Sequence, residues 1–416
     1  MQRYEKFYIF VCAKHDEMAI SLLQDTSKNA QIKREILRLC IKYRAFSISE
    51  FSHELGISVP TVTKLIAELI DEGFLQDEGK LGTSGGRKPS IYGLRPEAGY
   101  FLGIDVTRHH FHIAITDFKG TMIQFIQDIE FVLEANQESF RNICRRVKDE
   151  VIAAGIPWFN VLAAGISLSG RVNPEKGYSL TYFMGEDIPI KDLFQHELNI
   201  PVTLENDSRA MTYGEYMYLG PDAGSNMLFI NLSWGRGMGM ILDGKLYYGE
   251  SGYSGEIGHF PLLNNDVICR CGKVGCLETG ASGSALHRWI LEKLKEGRQS
   301  SLSASFNADG EIELEDILTA IREEDVLAIE GIGNIGETLG RGIAGLINVF
   351  NPGLVVIGGR LIVGNDYLRL PIRTAVNRMS LSKVSRDTKI TLSKLDRKAA
   401  GLGDCLLSRD KLLSLA

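Results

Sequence analysis

A short cysteine-rich stretch carries the most specific chemistry in this sequence. It contains one histidine and three cysteines between two glutamates: Glu256, His259, Cys269, Cys271, Cys276 and Glu278. Histidine and cysteine are the ligand types of a tetrahedral structural zinc site, and these four lie close enough along the chain to bind one ion. The predicted zinc ligands are His259, Cys269, Cys271 and Cys276. The alternative is a group of buried thiols without a metal.

The two glutamates are not needed as metal ligands, because the histidine and the three cysteines already make four. Gly272 and Gly275 supply turns that bring Cys276 back towards the other ligands. A metal-stabilised loop that holds Glu256 and Glu278 near each other is therefore predicted to bind a polar ligand.

Length and composition bound the class of protein. The chain has 416 residues, 44% hydrophobic and 24% charged, which predicts two or three globular domains with sizeable cores. A net charge of -6 argues against a protein that coats nucleic acid over its whole surface, but it permits a local basic face. The cysteines outside the zinc motif are scattered, so we expect a reducing, cytoplasmic compartment. No apolar run is long enough to span a bilayer, and no membrane partner is expected.

The N-terminal part predicts a DNA-binding fold. Residues 1–30 form an extension of unknown role, and 31–95 form a winged helix-turn-helix domain. A helical apolar stripe runs to about residue 44, and the capping box Ser47-Ile-Ser-Glu50 opens a second helix. A turn at Gly56 leads to a third helix that begins at Ser58 and ends near Gly73. This order of helix, glycine turn and helix is the helix-turn-helix signature.

The third helix and a following loop supply the predicted DNA contacts. Two short strands are joined by a glycine-rich loop that suits a wing. The residues predicted to contact DNA are Ser58, Thr61, Thr63 and Lys64 on the helix and Arg87 and Lys88 in the wing. Residues 31–95 contain ten Lys or Arg against eight Asp or Glu, so the positive excess is small. A winged helix that contacts only protein is the alternative.

The remainder predicts an α/β fold with two similar lobes that face a cleft. Strands at 100–105, 111–117 and 121–126 are followed by a helix at 137–154. The pattern of strand, glycine turn and strand recurs at 226–248, with a turn predicted through Trp234–Gly239. We predict one lobe at 98–205, completed by a C-terminal helix within 396–416. The other lobe is predicted at 206–395, with the zinc motif.

The motif Glu-x-Gly-His followed by Cys-x-Cys-Gly-x-x-Gly-Cys-x-Glu resembles the ROK family of repressors and sugar kinases over residues 98–416. The stretch Ser84-Gly-Gly-Arg-Lys-Pro89 resembles the winged helix of the NagC/Mlc/XylR-type repressor branch. The resemblance implies an actin-like, ribonuclease-H-like, sugar-kinase-type fold, and it places the zinc ligands on the same four residues. The sugar-binding positions that it implies are Gly170, Asn206, Asp207, Glu256, His259 and Glu278. Asp207 matches the general base of the family's kinases.

Two departures from the kinase pattern concern the nucleotide. The first phosphate loop of the family's kinases reads Asp-x-Gly-Gly-Thr, and here it is Asp105-Val-Thr107-Arg108-His109. The second reads Gly-Thr-Gly-Val-Gly, and here it is Ser233-Trp234-Gly235-Arg236-Gly237. Bulky side chains replace residues whose backbone would approach phosphate. The resemblance therefore implies a sugar site that is retained and a nucleotide site that is lost.

These observations predict a sugar-responsive transcriptional repressor with a catalytically inactive ROK domain and a structural Zn²⁺. The expected assembly is a homodimer or homotetramer on a pseudo-palindromic operator. One alternative is an ATP-dependent sugar kinase with an appended DNA-binding domain. Another is a regulator that responds to a partner protein instead of a sugar.

Overall fold

The computed structural model describes residues 25, 27–80, 89–107, 109–132, 134, 136–181, 189–309 and 312–414. The chain divides into two compact units. Unit 1 contains Met1–Gly170, Lys176–Glu205 and Asp404–Ala416. Unit 2 contains Arg171–Glu175 and Asn206–Gly403.

The described N-terminal part of unit 1, from residue 27 to residue 94, contains three helices and a small antiparallel sheet. The elements are α1 (Lys28–Tyr43), β1 (Ala45–Ser47), α2 (Ile48–Leu55), α3 (Val59–Asp71), β2 (Leu75–Lys80) and β3 (Ser90–Leu94). The strand order is β1-β3-β2. Ser47 and Glu50 form the predicted capping box at the start of α2, and Gly56 ends this helix in the left-handed region with φ 64°.

The rest of the chain alternates strands and helices. In chain order the elements are β4 (Tyr100–Val106), β5 (His110–Asp117), β6 (Met122–Glu130), α4 (Gln137–Ala153), β7 (Val161–Leu168), β8 (Val172–Asn173), β9 (Tyr178–Ser179), α5 (Ile190–Leu198), β10 (Val202–Asn206), α6 (Asp207–Leu219), β11 (Met227–Leu232), β12 (Arg236–Leu242), β13 (Lys245–Leu246), α7 (Gly283–Lys295), α8 (Ser303–Asp309), α9 (Leu314–Arg322), α10 (Val326–Phe350), β14 (Leu354–Gly358), α11 (Asn365–Met379), α12 (Ser382–Ser385), β15 (Lys389–Leu392) and α13 (Lys398–Leu412). This alternation is typical of an α/β fold.

Each unit contains a five-stranded sheet with the same pairing pattern. In unit 1 the order is β10-β7-β4-β5-β6, with β4, β5 and β6 antiparallel and β7 parallel to β4. In unit 2 the order is β13-β12-β11-β14-β15, with β11, β12 and β13 antiparallel and β14 parallel to β11. The repeated strand-turn-strand pattern of the sequence therefore corresponds to two sheets of like topology.

The N-terminal helices share one hydrophobic core with the large sheet of unit 1. Phe51 and Leu69 belong to the same buried cluster as Phe101 on β4 and Leu413 just beyond α13. The rings of Phe74 and Phe118 are 5.6 Å apart. The helical region is thus packed onto the sheet of unit 1 and is not a separately tethered module.

The turn between β11 and β12 is shorter than predicted. β12 already begins at Arg236, so the prediction of a turn through Trp234–Gly239 is wrong. A Cβ at Gly237 would collide with Ser208, and one at Gly239 would collide with Thr212. These glycines allow α6 to approach the strand closely, a role that the sequence pattern does not distinguish from a turn.

None of the helices among the described residues is long and apolar enough to cross a membrane.

Candidate functional site

The four predicted metal ligands converge in unit 2. Their ligand atoms all lie within 4.8 Å of one another. Cys269 Sγ is 3.6 Å from His259 Nδ1, and Cys271 Sγ is 3.6 Å from Cys276 Sγ. A disulfide needs about 2.05 Å between sulfurs. A tetrahedral ion with bonds of about 2.3 Å to sulfur separates its ligands by about 3.8 Å. The spacing therefore suits a metal centre with one nitrogen and three sulfur ligands.

Tight turns bring these ligands together. His259 ends the 3₁₀ turn Ile257–His259, and Cys276 immediately precedes the 3₁₀ turn Leu277–Thr279. The Cys269 N–H donates to the Lys273 carbonyl over 2.8 Å, which closes the cysteine loop. Gly275 has φ 75°, and a Cβ there would lie 2.6 Å from the Leu263 carbonyl oxygen. Only glycine fits this position without rearrangement.

Glu256 lies beside the predicted histidine ligand. Its Oε2 lies 3.4 Å from His259 Nε2, while Nδ1 of the same ring faces the Cys269 sulfur. A carboxylate beside the outer nitrogen of a metal-binding histidine fixes the tautomer and the ring orientation. Glu256 is thus placed to support the metal ligand as well as to offer an oxygen to a bound molecule.

Glu278 lies against the same 3₁₀ turn. A Cβ added at Gly258 would be 2.9 Å from Glu278 Oε2, so this carboxylate packs against the backbone between Glu256 and His259. The backbone carbonyl of Glu278 accepts a hydrogen bond from Ser282 Oγ over 2.8 Å. The structure therefore brings together three of the predicted sugar-binding residues: Glu256, His259 and Glu278.

Asn206 and Asp207 form a second polar group at the start of α6. Asn206 Oδ1 accepts from the Arg209 N–H over 3.1 Å, so Asn206 is the N-cap of the helix. Asp207 Oδ1 accepts from Asn206 Nδ2 over 2.8 Å and from the Ser208 N–H over 2.7 Å. Burial raises the pKa of Asp207, and the hydrogen bonds from Ser208 oppose this shift.

Strand β12 lies between the two polar groups. The first turn of α6 packs Ser208 against Gly237, and Gly255, just before Glu256, packs against the Met238 carbonyl. Both groups therefore depend on the same strand for their position. Gly170 belongs to unit 1, where it has φ 91° and contacts Thr181. Its proposed place beside a sugar stays a prediction.

The loop that corresponds to the second phosphate loop is closed by backbone hydrogen bonds. The Ser233 and Trp234 carbonyls accept from the N–H groups of Gly283 and Ser284 at the start of α7, over 2.8 and 2.9 Å. The Trp234 ring is 39% exposed and lies 5.5 Å from the ring of His287. Carbonyl oxygens only accept hydrogen bonds and are therefore poor partners for a phosphate anion.

The loop that corresponds to the first phosphate loop is described only in part. Thr107 Oγ1 donates to the His110 carbonyl over 2.7 Å, which closes the turn between β4 and β5. His109 is exposed, and Arg108 lies outside the described residues.

The predicted DNA contacts on α3 are all solvent-exposed: Ser58, Thr61, Thr63 and Lys64. The hydroxyls of Ser58 and Thr61 are 2.9 Å apart, and Thr63 Oγ1 donates to the Val59 carbonyl over 2.8 Å. Arg87 and Lys88 lie outside the described residues. Val59 is not among the predicted contacts, although its apolar side chain is 50% exposed beside these polar groups. The sequence indicates this exposure, because Val59 lies outside the apolar stripe that the helix buries.

Comparison with known proteins identifies the family. The ROK family model matches residues 101–411. The chain belongs to the ROK family. A PCI domain model also matches residues 13–81. The two sheets described above thus form the α/β fold of the ROK sugar kinases.

Among ROK relatives, a xylose repressor from Caldicellulosiruptor bescii is 28% identical over 381 residues, covering 91% of this chain and 95% of the relative. The crystal structure of a ROK family transcriptional regulator, a homolog of E. coli MLC protein, superposes with a TM-score of 0.77. It is 26% identical, with 93% of this chain and 96% of that chain covered. A ROK family glucokinase from Streptomyces griseus, in complex with glucose and AMPPNP, has a TM-score of 0.63 and 26% identity. The match covers 75% of this chain and 100% of the glucokinase chain.

Proposed function

We propose that this protein is a sugar-responsive transcriptional repressor whose ROK domain binds a sugar without phosphorylating it. The observation that carries the proposal is the continuous core that joins an N-terminal helix with an exposed polar face to the sheet of a ROK domain. Such a core gives a DNA-binding surface a fixed attachment to the ligand-binding domain. The likeness to a xylose repressor over nearly the whole chain supports the same function.

The N-terminal region is proposed to read DNA as a winged helix. Three helices and a three-stranded antiparallel sheet, whose first strand lies between α1 and α2, are the elements of this fold, with α3 as the recognition helix. Lys64 has a side chain that is 70% exposed and can reach a phosphate. Arg87 and Lys88 are proposed as wing contacts on the sequence alone. A homodimer or homotetramer would present two such helices to two half-sites.

The two polar groups that flank β12 are proposed to bind the sugar. Carboxylates accept hydrogen bonds from sugar hydroxyls, and an amide can donate and accept. Glu256 and Glu278 supply carboxylates beside His259, and Asn206 and Asp207 supply an amide and a further carboxylate. A hexose or pentose offers adjacent hydroxyls that such a set can recognise.

The proposed ion at the cysteine cluster is a structural zinc. One histidine and three cysteines fill a tetrahedral shell, which leaves no open position for a substrate. His259, Cys269, Cys271 and Cys276 would hold the ion, which fixes the two turns that carry Glu256 and Glu278. Thiols that must stay reduced to bind zinc fit a cytoplasmic protein.

A carbohydrate screen tests the sugar-binding part of the proposal. The panel contains xylose, glucose, N-acetylglucosamine and their phosphorylated forms, and thermal shift is the measurement. We expect at least one carbohydrate to raise the Tm of the wild type and not of Glu256→Gln. The matched control is Glu250→Gln, which removes an equal charge from an exposed position of unit 2. A panel without any response, or an equal response from Glu256→Gln, would count against the site.

A sugar kinase is the second candidate, because Asp207 occupies the position of the kinase base and a ROK glucokinase has a related structure. The closed turn at Ser233 and Trp234 weighs against nucleotide binding. Incubation with ATP, Mg²⁺ and the same panel is expected to give no phosphorylation above that of Asp207→Asn. Turnover on the order of 1–100 per second, as kinases show, would establish the kinase instead.

A further inference from the structure

Strand β5 of unit 1 carries two histidines that the zinc and sugar proposals leave unused. His110 and His112 occupy alternate positions and therefore lie on the same face of the sheet, with their ring centroids 5.3 Å apart. His112 is buried and His110 is half-buried. Asp128 on the neighbouring strand β6 completes the group, because ligand atoms of the three residues all lie within 4.8 Å of one another. We call His110, His112 and Asp128 the histidine–aspartate cluster.

A β-bulge brings Asp128 to the two histidines. The register between β5 and β6 shifts opposite His112, where Gln127 and Asp128 together oppose this single residue. Asp128 has φ 54°, a left-handed conformation that aspartate tolerates better than most non-glycine residues. Its N–H donates to His112 Nδ1 over 3.0 Å. Bulges occur where a strand must redirect a side chain, so the backbone of β6 is shaped to hold Asp128 beside the histidine pair.

Two imidazoles and one carboxylate are ligands that suit divalent ions of the first transition row. Zn²⁺ held by three such groups keeps a further position for water. With bonds of about 2.1 Å, the ligand atoms around Zn²⁺ are about 3.4 Å apart. Because the atoms of the cluster already lie within 4.8 Å of one another, side-chain rotations of small amplitude would close the site.

We propose that the histidine–aspartate cluster is a second metal site, which binds an exchangeable divalent ion of the kind represented by Zn²⁺ and Ni²⁺. The ion replaces the hydrogen bond between the Asp128 N–H and His112. Binding at Nδ1 displaces this N–H, and binding at Nε2 puts a proton on Nδ1, which then cannot accept it. With three protein ligands and one hydrogen bond to break, the site is weaker than the four-ligand cysteine centre.

The site borders the core that attaches the N-terminal helices to the sheet. Ala114, two residues beyond His112 on β5, belongs to the buried cluster of those helices. Phe125 packs against the same cluster, and its ring centroid is 6.0 Å from that of His112. Only the folded sheet brings the three ligands together, so an ion bound there should raise the Tm of the protein.

Titration of the full-length protein with Ni²⁺ tests the proposal by calorimetry. Asp128→Asn removes the carboxylate charge but keeps a residue that tolerates the left-handed conformation. This variant and His110→Asn should each weaken one equivalent of Ni²⁺ binding at least about tenfold, since even the supporting residues of a metal site are worth about 10- to 100-fold. Both variants keep the cysteine centre, so any Ni²⁺ bound by the thiols is unaffected.

Two matched controls separate the site from general effects of charge and conformation. Asp243→Asn changes another exposed aspartate in the left-handed region, with φ 51°. His196→Asn removes a histidine of unit 1 whose side chain is 86% exposed. Both controls should bind Ni²⁺ as the wild type does. Asp128 is exposed and His110 half-buried, so neither test variant removes a core side chain.

The backbone amide of residue 128 gives a second readout that is specific to this site. One equivalent of Ni²⁺ at the cluster should broaden or shift its ¹H–¹⁵N signal in the wild type and in Asp243→Asn, but not in Asp128→Asn. Ni²⁺ binding by Asp128→Asn and His110→Asn with wild-type stoichiometry and affinity would overturn the proposal. An unchanged amide signal in the wild type at saturating Ni²⁺, or an equal loss of binding in the two controls, would also overturn it.

Discussion

The cysteines that the structure describes fall into two groups. Burial raises the pKa of Cys40 and of Cys144 to about 12, so these thiols stay protonated and unreactive near neutral pH. Cys269, Cys271 and Cys276 instead lie within 4.8 Å of one another and of a histidine nitrogen. The thiols that can bind a metal are therefore distinguished by their closeness to one another and to the histidine nitrogen, and not by their exposure.

Thiol titration checks this distinction. With zinc bound, the three clustered cysteines should react slowly with an aromatic disulfide reagent at pH 8, because each thiolate is bound to the ion. A strong chelator should then make three further thiols reactive with release of one equivalent of zinc. Cys12→Ser is used as the background, since Cys12 lies outside the described residues. An unchanged thiol count after chelation would exclude the three-cysteine centre.

At the scale of elements, a buried lysine of α1 holds helix α3, the proposed recognition helix. Lys33 on α1 forms ion pairs of 2.9 Å with Glu68 and 2.6 Å with Glu72 near the end of α3. The hydrogen bond from Lys33 is the main reason that the pKa of Glu68 is lowered. α3 is thus fixed at its C-terminal end, while its N-terminal end, with the proposed DNA contacts Ser58 and Thr61, stays exposed.

Lys33→Ala should lower the free energy of unfolding by about 1–2 kcal/mol, a figure discounted for the partly exposed carboxylates. Because the pKa of Glu68 is lower in the folded than in the unfolded protein, its ion pair stabilises the fold at pH values above about 4.3, the pKa of an unfolded glutamate. This stabilisation is lost as the pH falls through the lower pKa of the folded state. Denaturant unfolding at pH 7 and below pH 4 measures both effects. Lys28→Ala, at an exposed lysine of the same helix, is the control. An equal loss of stability at both pH values would contradict the ion-pair account.

A second element-scale feature is the close crossing of α6 and α13. A Cβ at Gly403 would collide with the Ala210 carbonyl, and one at Gly214 would collide with the Ala399 carbonyl. Helix backbones that approach this closely need glycine at the contact. The position of α13 is therefore set by small residues on both helices.

Gly403→Ala should destabilise the protein by about 3 kcal/mol, because the added methyl group overlaps a backbone oxygen. Gly345→Ala is the matched control, since nothing lies within 4 Å of a Cβ at this exposed position of α10. The control should stabilise the protein by about 0.5–1 kcal/mol. Calorimetric Tm values of the two variants give the comparison, and equal values would show that the crossing is not close-packed in solution.

At the scale of the whole molecule, helix α13 begins in unit 2 and ends in unit 1. Leu413, just beyond it, belongs to the cluster that includes Phe51 and Leu69 of the N-terminal helices. Lys119 also pairs with Glu78 on β2 over 2.6 Å. The proposed DNA-binding surface is therefore expected to move with the sheet of unit 1 when a sugar favours one arrangement of the protein.

Local patterns allowed much of this to be predicted. The capping box at Ser47, the two sheets and the converging cysteines all follow from short-range spacing. The prediction of a turn at the glycines after Trp234 is wrong, because a turn and the close approach of a helix both require glycine. The exposure of Val59 and the close packing of Gly237 against Ser208 depend on which face of an element meets the core. Such facts are fixed by tertiary packing and not by sequence periodicity.

Operator binding in the presence and absence of sugar tests the central claim most directly. An operator is first obtained by selection from random duplexes, and its affinity is measured by fluorescence anisotropy at fixed salt. The carbohydrate found by thermal shift should change the operator Kd of the wild type by about 30- to 150-fold, a coupling of roughly 2–3 kcal/mol. Glu256→Gln should bind the operator with unchanged Kd and show no response. A sugar that binds the wild type and leaves its operator Kd unchanged would contradict the account.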